Sequence, residues 1–190
     1  MLRHIVCDNS NVLQYRRIAA LLLGLWLGGG IFADIAVTQN FQTVDRFLAA
    51  PGSAGTVVEL NRIGRDRERA ILRRNAGEEN NFLFENWERV ELMLGIALPA
   101  ALFIGGRPPK AMLAAALAMW LIVVVQHFYL SPEVSLLGRK IADLPPGDPL
   151  NKTFWMFHGI YSGLEILKLL AGFALAVRLS IRGKTDRNRL

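Results

Sequence analysis

The sequence predicts an all-α integral membrane protein: a four-helix bundle with amphipathic extramembrane helices. Three observations carry that reading. The 190-residue chain is 52% hydrophobic, and its length suits a single membrane domain, 1–190. Its apolar residues gather into four windows, 18–37, 90–106, 111–130 and 154–177, each near the roughly 17–25 residues that a bilayer crossing needs. The surplus of basic residues sits on alternate connections. The two tails and the short 107–110 turn carry Arg16, Arg17, Arg107, Lys110, Arg178 and further cations against only Asp8 and Asp186, whereas the other two loops are balanced. Basic residues beside helix ends mark the cytoplasmic side, so both termini are expected inside, at a plasma (inner) membrane.

Residues 1–15 read as a mixed tail. Its single cysteine, Cys7, cannot close an internal disulfide and reads as an inert thiol. The basic start and apolar core resemble a signal peptide, but seventeen residues precede that core and apolar character runs on to Val37. A retained helix is therefore expected. Gly24 and Gly28 stand four apart in it, a spacing that lets helices approach closely within the bundle or in a homo-oligomer. Asp34 falls near its far end.

The loop that follows is too long for a simple connection. Pro51-Gly52 breaks the chain, Thr56 and Glu59 have the spacing of a capping box, and 56–76 reads as an amphipathic helix rich in arginine. Gly77 is expected to end it. A new helix is expected from Asn80 or Asn81, with Glu85, Glu88 and Glu91 at every third position and Trp87 in the interfacial belt. Pro99 is expected to kink it. The third helix begins with an alanine-rich packing face and ends near Gln126 and His127, where Ser131-Pro132-Glu133 is expected to terminate it and cap a short amphipathic helix.

The fourth window holds the most chemistry. His158, Tyr161, Ser162, Glu165 and Lys168 fall within roughly 120° of one helix face. An ionisable group inside a spanning helix costs about 2.5–3.5 kcal/mol on the insertion scale and is expected to face protein, water or ligand. Up-and-down topology brings Asp34, Glu91, His127 and His158 toward the membrane face opposite the termini. Imidazole and carboxylate together suit a transition metal, with His127 and His158 as ligands, or a proton relay into Glu165. The two histidines on facing helices also suit haem, although no haem-specific flanking sequence accompanies them; the cofactor stays open. The structural alternative is that Glu165 and Lys168, three apart, neutralise each other. No HExxH, GxSxG, phosphate-cradling loop or cysteine cluster occurs, so an enzyme is not expected. The basic balance lacks the aromatic interleaving of nucleic-acid modules; the expected partners are the lipid bilayer and a companion membrane protein or second copy.

The stretches LGLWLGGGIFADIAV, HFYLSPEVSLLGRKI and FWMFHGIYSGLEILKLL resemble a family of small four-helix membrane proteins of unknown function that includes eukaryotic transmembrane protein 205. That family has a Gly-rich first helix, a Tyr-x-x-Pro exit from the third and a Phe-x-x-x-His-x-x-Ser-type start to the fourth. The corresponding residues are Gly28, Gly29, Tyr129, Pro132, Phe154 and His158, with Ser162 one position late. The arginine-rich loop and Lys168 depart from the pattern. The resemblance implies a fold rather than a mechanism. The association of the eukaryotic member with metal-drug resistance adds weight to a transport or metal role, with no ligands to carry over. The expectation is a non-enzymatic, transport-related or accessory membrane protein with a proton- or metal-linked polar site. The alternatives are a haem- or metal-binding redox module and a structural subunit of a larger membrane complex.

Overall fold

The computed structural model describes residues 2–50, 62, 64–105, 108–141, 144–145 and 147–187, and the side chains of these from residue 14 to residue 181. The described residues are helical with no strand: α1 Leu2–Ala49, α2 Arg65–Ile104, α3 Lys110–Val125, α4 Ser131–Ile141 and α5 Pro149–Arg187. A single π-helical turn, Gln126–Leu130, joins α3 to α4.

Contacts fix the directions. Trp26 meets Glu91, Asn40 meets Asn80 and Asp45 meets Arg69, so α2 runs back along α1. Trp120 of α3 packs on Gly95, and His127 meets Glu88, so α3 runs back along α2. Leu27 and Met119 both lie against Gly172, while Gly30 lies beside Leu169 and Gln126 bonds Glu165, so α5 runs antiparallel to α1 and α3. The ring order is α1, α2, α3, α5, with Gly105, Lys110, Leu2 and Arg187 toward one end. Each helix buries residues spaced three and four apart, the period of one helix face: Ala19, Leu23, Trp26 and Leu27 on α1, Leu94, Leu98, Ala101 and Leu102 on α2, Met112, Ala116, Met119 and Val123 on α3, Leu175 and Leu179 on α5. These form an apolar layer toward the termini. Above it the interior turns polar.

Several boundaries differ from the sequence expectation. α1 is continuous from Leu2, without a separate tail. The Thr56 capping box and most of the first turns of the 56–76 helix lie outside the described residues. Gly64, with φ 89°, stands immediately before α2, a conformation that favours glycine. α2 then runs through Gly77 without a stop. An interior glycine costs about 1 kcal/mol against alanine, but Ala76 and Asn80 on either side are buried, and Asn80 is tied to α1. The Asn80 amide donates to the Val37 carbonyl at 3.2 Å and its Oδ1 accepts from Asn40 at 2.6 Å. Tertiary contact overrides the local breaker.

Pro132 likewise fails to end the third helix. Proline offers no N–H and its ring crowds the carbonyl one turn back. The π-turn just before it widens the backbone, with the Ser131 N–H donating to the Gln126 carbonyl, and helix resumes. Wide turns of this kind often sit at functional positions. The close-packing glycines are also different ones. Gly24 and Gly28 face open space, whereas Gly29 lies under the Trp87 ring and Gly30 beside Leu169 and Glu165. Trp87 thus packs inward rather than standing at a rim.

Two helical stretches, Gln14–Ala49 and Lys110–Ile141, are long and apolar enough to cross a membrane. The windows at 90–106 and 154–177 lie on α2 and α5, the helices that carry the buried charges.

A buried polar network as the candidate functional site

Two helices supply the ionisable groups and two supply their partners. On α5 the buried stripe is Tyr161, Glu165, Lys168, Gly172, Leu175 and Leu179. Its upper three members are polar and point at α2 and α3. On α2, Glu88 and Glu91 are three apart, fully buried, and face the same axis.

Glu88 is held by three groups. Tyr161 Oη donates to Oε1 at 2.8 Å, Ser131 Oγ donates to the same oxygen, and His127 Nδ1 faces Oε2 at 3.0 Å. The π-turn carries His127, and Ser131 follows directly after it, so both reach one carboxylate. Both Glu88 oxygens therefore have partners, as a buried polar group requires.

One turn deeper, Lys168 is 1% exposed and sits between two carboxylates. Its Nζ lies 2.7 Å from Glu91 and 2.7 Å from Glu165, and it reaches Gln126 Oε1 at 3.4 Å. Glu91 also accepts from Trp26 Nε1 at 2.7 Å. The Gln126 amide donates to Glu165 Oε2 at 3.1 Å and to the Tyr161 carbonyl at 3.4 Å. Gln126 therefore joins the Glu88 cluster to the Lys168 cluster. All three donors of the ammonium are used, as a buried cation requires.

Charge does not balance. Among the described residues the network holds three buried carboxylates, Glu88, Glu91 and Glu165, and one buried ammonium, Lys168. An imidazolium at His127 would supply one further positive charge and still leave an excess negative one. A buried charge without compensation is expensive, so this arrangement can take up a proton.

The structure gathers Tyr161, Glu165, Lys168, Glu91 and His127 as the sequence suggested, and puts Asp34 half-buried on α1, one turn beyond Gly30. It does not gather His158 or Ser162. His158 is exposed, stacked on Phe154 and edge-on to Trp155. Ser162 lies half-buried outside the network. The physical reason is the position of the buried stripe, which centres on Tyr161 and Lys168 and leaves these two on its flank. His127 and His158 consequently do not face a common space, and a haem or metal held between them has no geometric support here. Among the described residues no group of three or more His, Cys, Asp or Glu is arranged to hold a metal ion.

Sequence reasoning missed Glu88, Gln126, Ser131 and Trp26 as members of the network. A signal existed for Glu88: it shares the three-residue spacing of Glu91, and position 88 falls on the same face as Gly95 and Leu102, about two and four turns further on. No protein-family model, curated protein or solved structure matches this chain.

Proposed function

We propose that the protein is a non-enzymatic, multi-pass membrane protein in which α1, α2, α3 and α5 cross the bilayer and the buried network exchanges a proton as part of a transport-related function. The single observation that carries the proton linkage is the charge imbalance: one ammonium against three carboxylates in a dehydrated interior.

The membrane setting is supported by an inverted surface. Leu21, Phe32, Met93, Ile96, Phe103, Leu121, Ile166 and Leu170 are all more than half exposed, while Glu88, Glu91 and Lys168 are shielded. Only 33% and 28% of the two most apolar windows are buried, whereas the core helix of a water-soluble protein would be mostly covered. An apolar exterior around a satisfied polar interior is what hydrocarbon demands. The resemblance to the transmembrane protein 205 family implies the same four-helix fold.

Carbonate-washed membranes test the setting: the protein should stay with lipid and need detergent for release, and recovery in the wash would sink the reading. Infrared difference spectra of purified protein in nanodiscs test the proton. Lowering the pH should produce a carboxylic-acid C=O band that shifts in D2O and is lost in the Glu91→Gln, Glu165→Gln double variant. A folded protein with no such band would remove the proton linkage.

A second reading, a subunit of a larger membrane complex, is favoured by one feature. Beyond Asp34, α1 continues about 22 Å to Ala49, paired with the start of α2, where Arg65 and Arg67 are exposed. Stoichiometric copurification of one other chain, lost on reversing the charge of Arg65 and Arg67, would favour it.

A further inference from the structure

The network needs a way to the outside. Glu88, Glu91 and Lys168 are buried and Glu165 nearly so, so direct exchange of their protons with water is restricted. Asp34 is different. It is half-buried, on α1. It lies four residues beyond Gly30, hence on the same helix face one turn further out.

Gly30 is where α1 opens onto the network. A side chain there would have its Cβ 3.8 Å from Glu165 Oε1, 3.8 Å from Trp87 Nε1 and 3.7 Å from Leu169 Cδ2. A carboxylate oxygen and an indole N–H therefore converge beside a residue that has no side chain. The Trp87 N–H is buried and has no hydrogen-bond partner among the described residues. A buried donor left without a partner costs about 1–3 kcal/mol, and such groups call for an explanation. A polar passage alongside Gly30, in which this N–H steadies an oxygen in transit, gives one.

Resting on the proton-linked reading above, we infer that Asp34 is the proton port of the network, delivering to Glu165 past Gly30. In the step, the O–H bond of the Asp34 carboxylic acid breaks and an O–H bond forms on Glu165. Asp34 then regains a proton from water at the surface. No electrons move, and one positive charge passes inward. The charged and titratable groups that face this route are Asp34 on α1, Glu88 and Glu91 on α2, His127 in the π-turn, and Tyr161, Glu165 and Lys168 on α5. Lys168 holds the receiving carboxylates together, and Glu88 with its three partners closes the far side.

The test follows the rate at which the network carboxyl band responds to a pH jump or to D2O, using the full-length protein in nanodiscs. Asp34→Asn should slow that response about a hundredfold, the size of effect expected when a positioned proton carrier is lost. Asp34→Glu should restore most of it, and azide, a small weak acid, should accelerate the Asn variant but not the wild type. Gly30→Ala adds a methyl at ordinary contact distance, so the fold should persist while transfer slows. An unchanged rate in Asp34→Asn would overturn the port and leave the proton-linked reading intact. A wild-type protein with no exchanging carboxyl band would overturn both.

Discussion

Two three-membered charge clusters among the described residues are inverses of each other. On the α1–α2 extension, Asp45 lies between two cations, with Arg69 at 2.9 Å and Arg73 at 3.0 Å. In the bundle, Lys168 lies between two carboxylates at comparable distances. The first cluster is open to solvent: both arginine side chains are at least half exposed. The second is enclosed. Similar geometry therefore does two different jobs. In water the attraction is screened and each ion keeps most of its hydration, so the outer cluster adds little beyond direction to the hairpin. Out of water the ions depend on each other and on the Trp26 and Gln126 side chains, and the inner cluster becomes obligatory once formed.

The largest effect should come from removing the inner cation. Lys168→Leu strands Glu91 and Glu165, and breaking a buried pair in this way costs about 3–5 kcal/mol. We expect loss of most folded protein, read as a collapsed melting transition in detergent. The double change Glu165→Leu, Lys168→Leu should be little better, because Glu91 remains without its ammonium. The triple change that also converts Glu91 to Leu should recover a large part of the stability, since apolar replacement of a whole buried ion cluster is often tolerated. It should not recover all of it, because Trp26 and Gln126 lose partners. Full tolerance of Lys168→Leu alone would dissolve the contrast between the two clusters.

Next in size is Glu88→Gln. Its amide nitrogen would replace one acceptor oxygen with a donor, directly opposite donors from His127, Tyr161 or Ser131. A mispaired buried polar group costs about 1–3 kcal/mol, and the melting temperature should fall accordingly. The same division between inside and outside applies to uncharged positions. Gly95→Ala would drive a methyl into the Trp120 ring, an overpacking cost of about 1–3 kcal/mol. Gly24→Ala meets nothing and should be neutral or stabilising by up to about 1 kcal/mol, through helix propensity. Equal effects at the two glycines would show that the bundle packs on a different face of α1 or α2.

Much of this was legible from residue spacing. The four apolar windows map onto α1, α2, α3 and α5, and the inward turn of Glu165 and Lys168 follows from a polar arc on an apolar helix. The limits are equally physical. A helical wheel gives an arc about 120° wide, but packing selects only part of it, taking Tyr161 and Lys168 and leaving His158 on the flank. The pairing of Glu165 with its own neighbour was readable, whereas the claim of Glu91 on the same ammonium is a contact across the bundle diagonal that no local pattern encodes. Glu88 sits in a run with Glu85 and Arg89, which do pair on the surface, and from composition alone it looks like one more solvated residue. The π-turn is also invisible from period. It depends on how the chain accommodates Pro132, and it is what aims Gln126 and His127 inward.

The smallest expected effect is at Asp45, and it sharpens the comparison because it depends on pH and salt rather than on folding as a whole. Hydrogen bonds from Arg69 and then Arg73 hold this carboxyl below its ordinary value. A carboxylate whose folded value is depressed stabilises the fold above its unfolded value, and that contribution fades as the pH falls through the folded one. Acidification through and below the ordinary carboxylate range should therefore loosen the α1–α2 extension first. Amide hydrogen exchange near 42–49 and 69–73 would read this as locally faster exchange, with the bundle interior unchanged. Added salt at neutral pH should produce a weaker version of the same loosening, since the charges lie within solvent that screens over about 10 Å at 0.1 M. Asp45→Asn should abolish both dependences while leaving the network carboxyl band untouched. If salt instead loosened the interior around Lys168 as readily as the extension, water would be reaching the inner cluster, and the distinction between screened and enclosed ions would no longer hold.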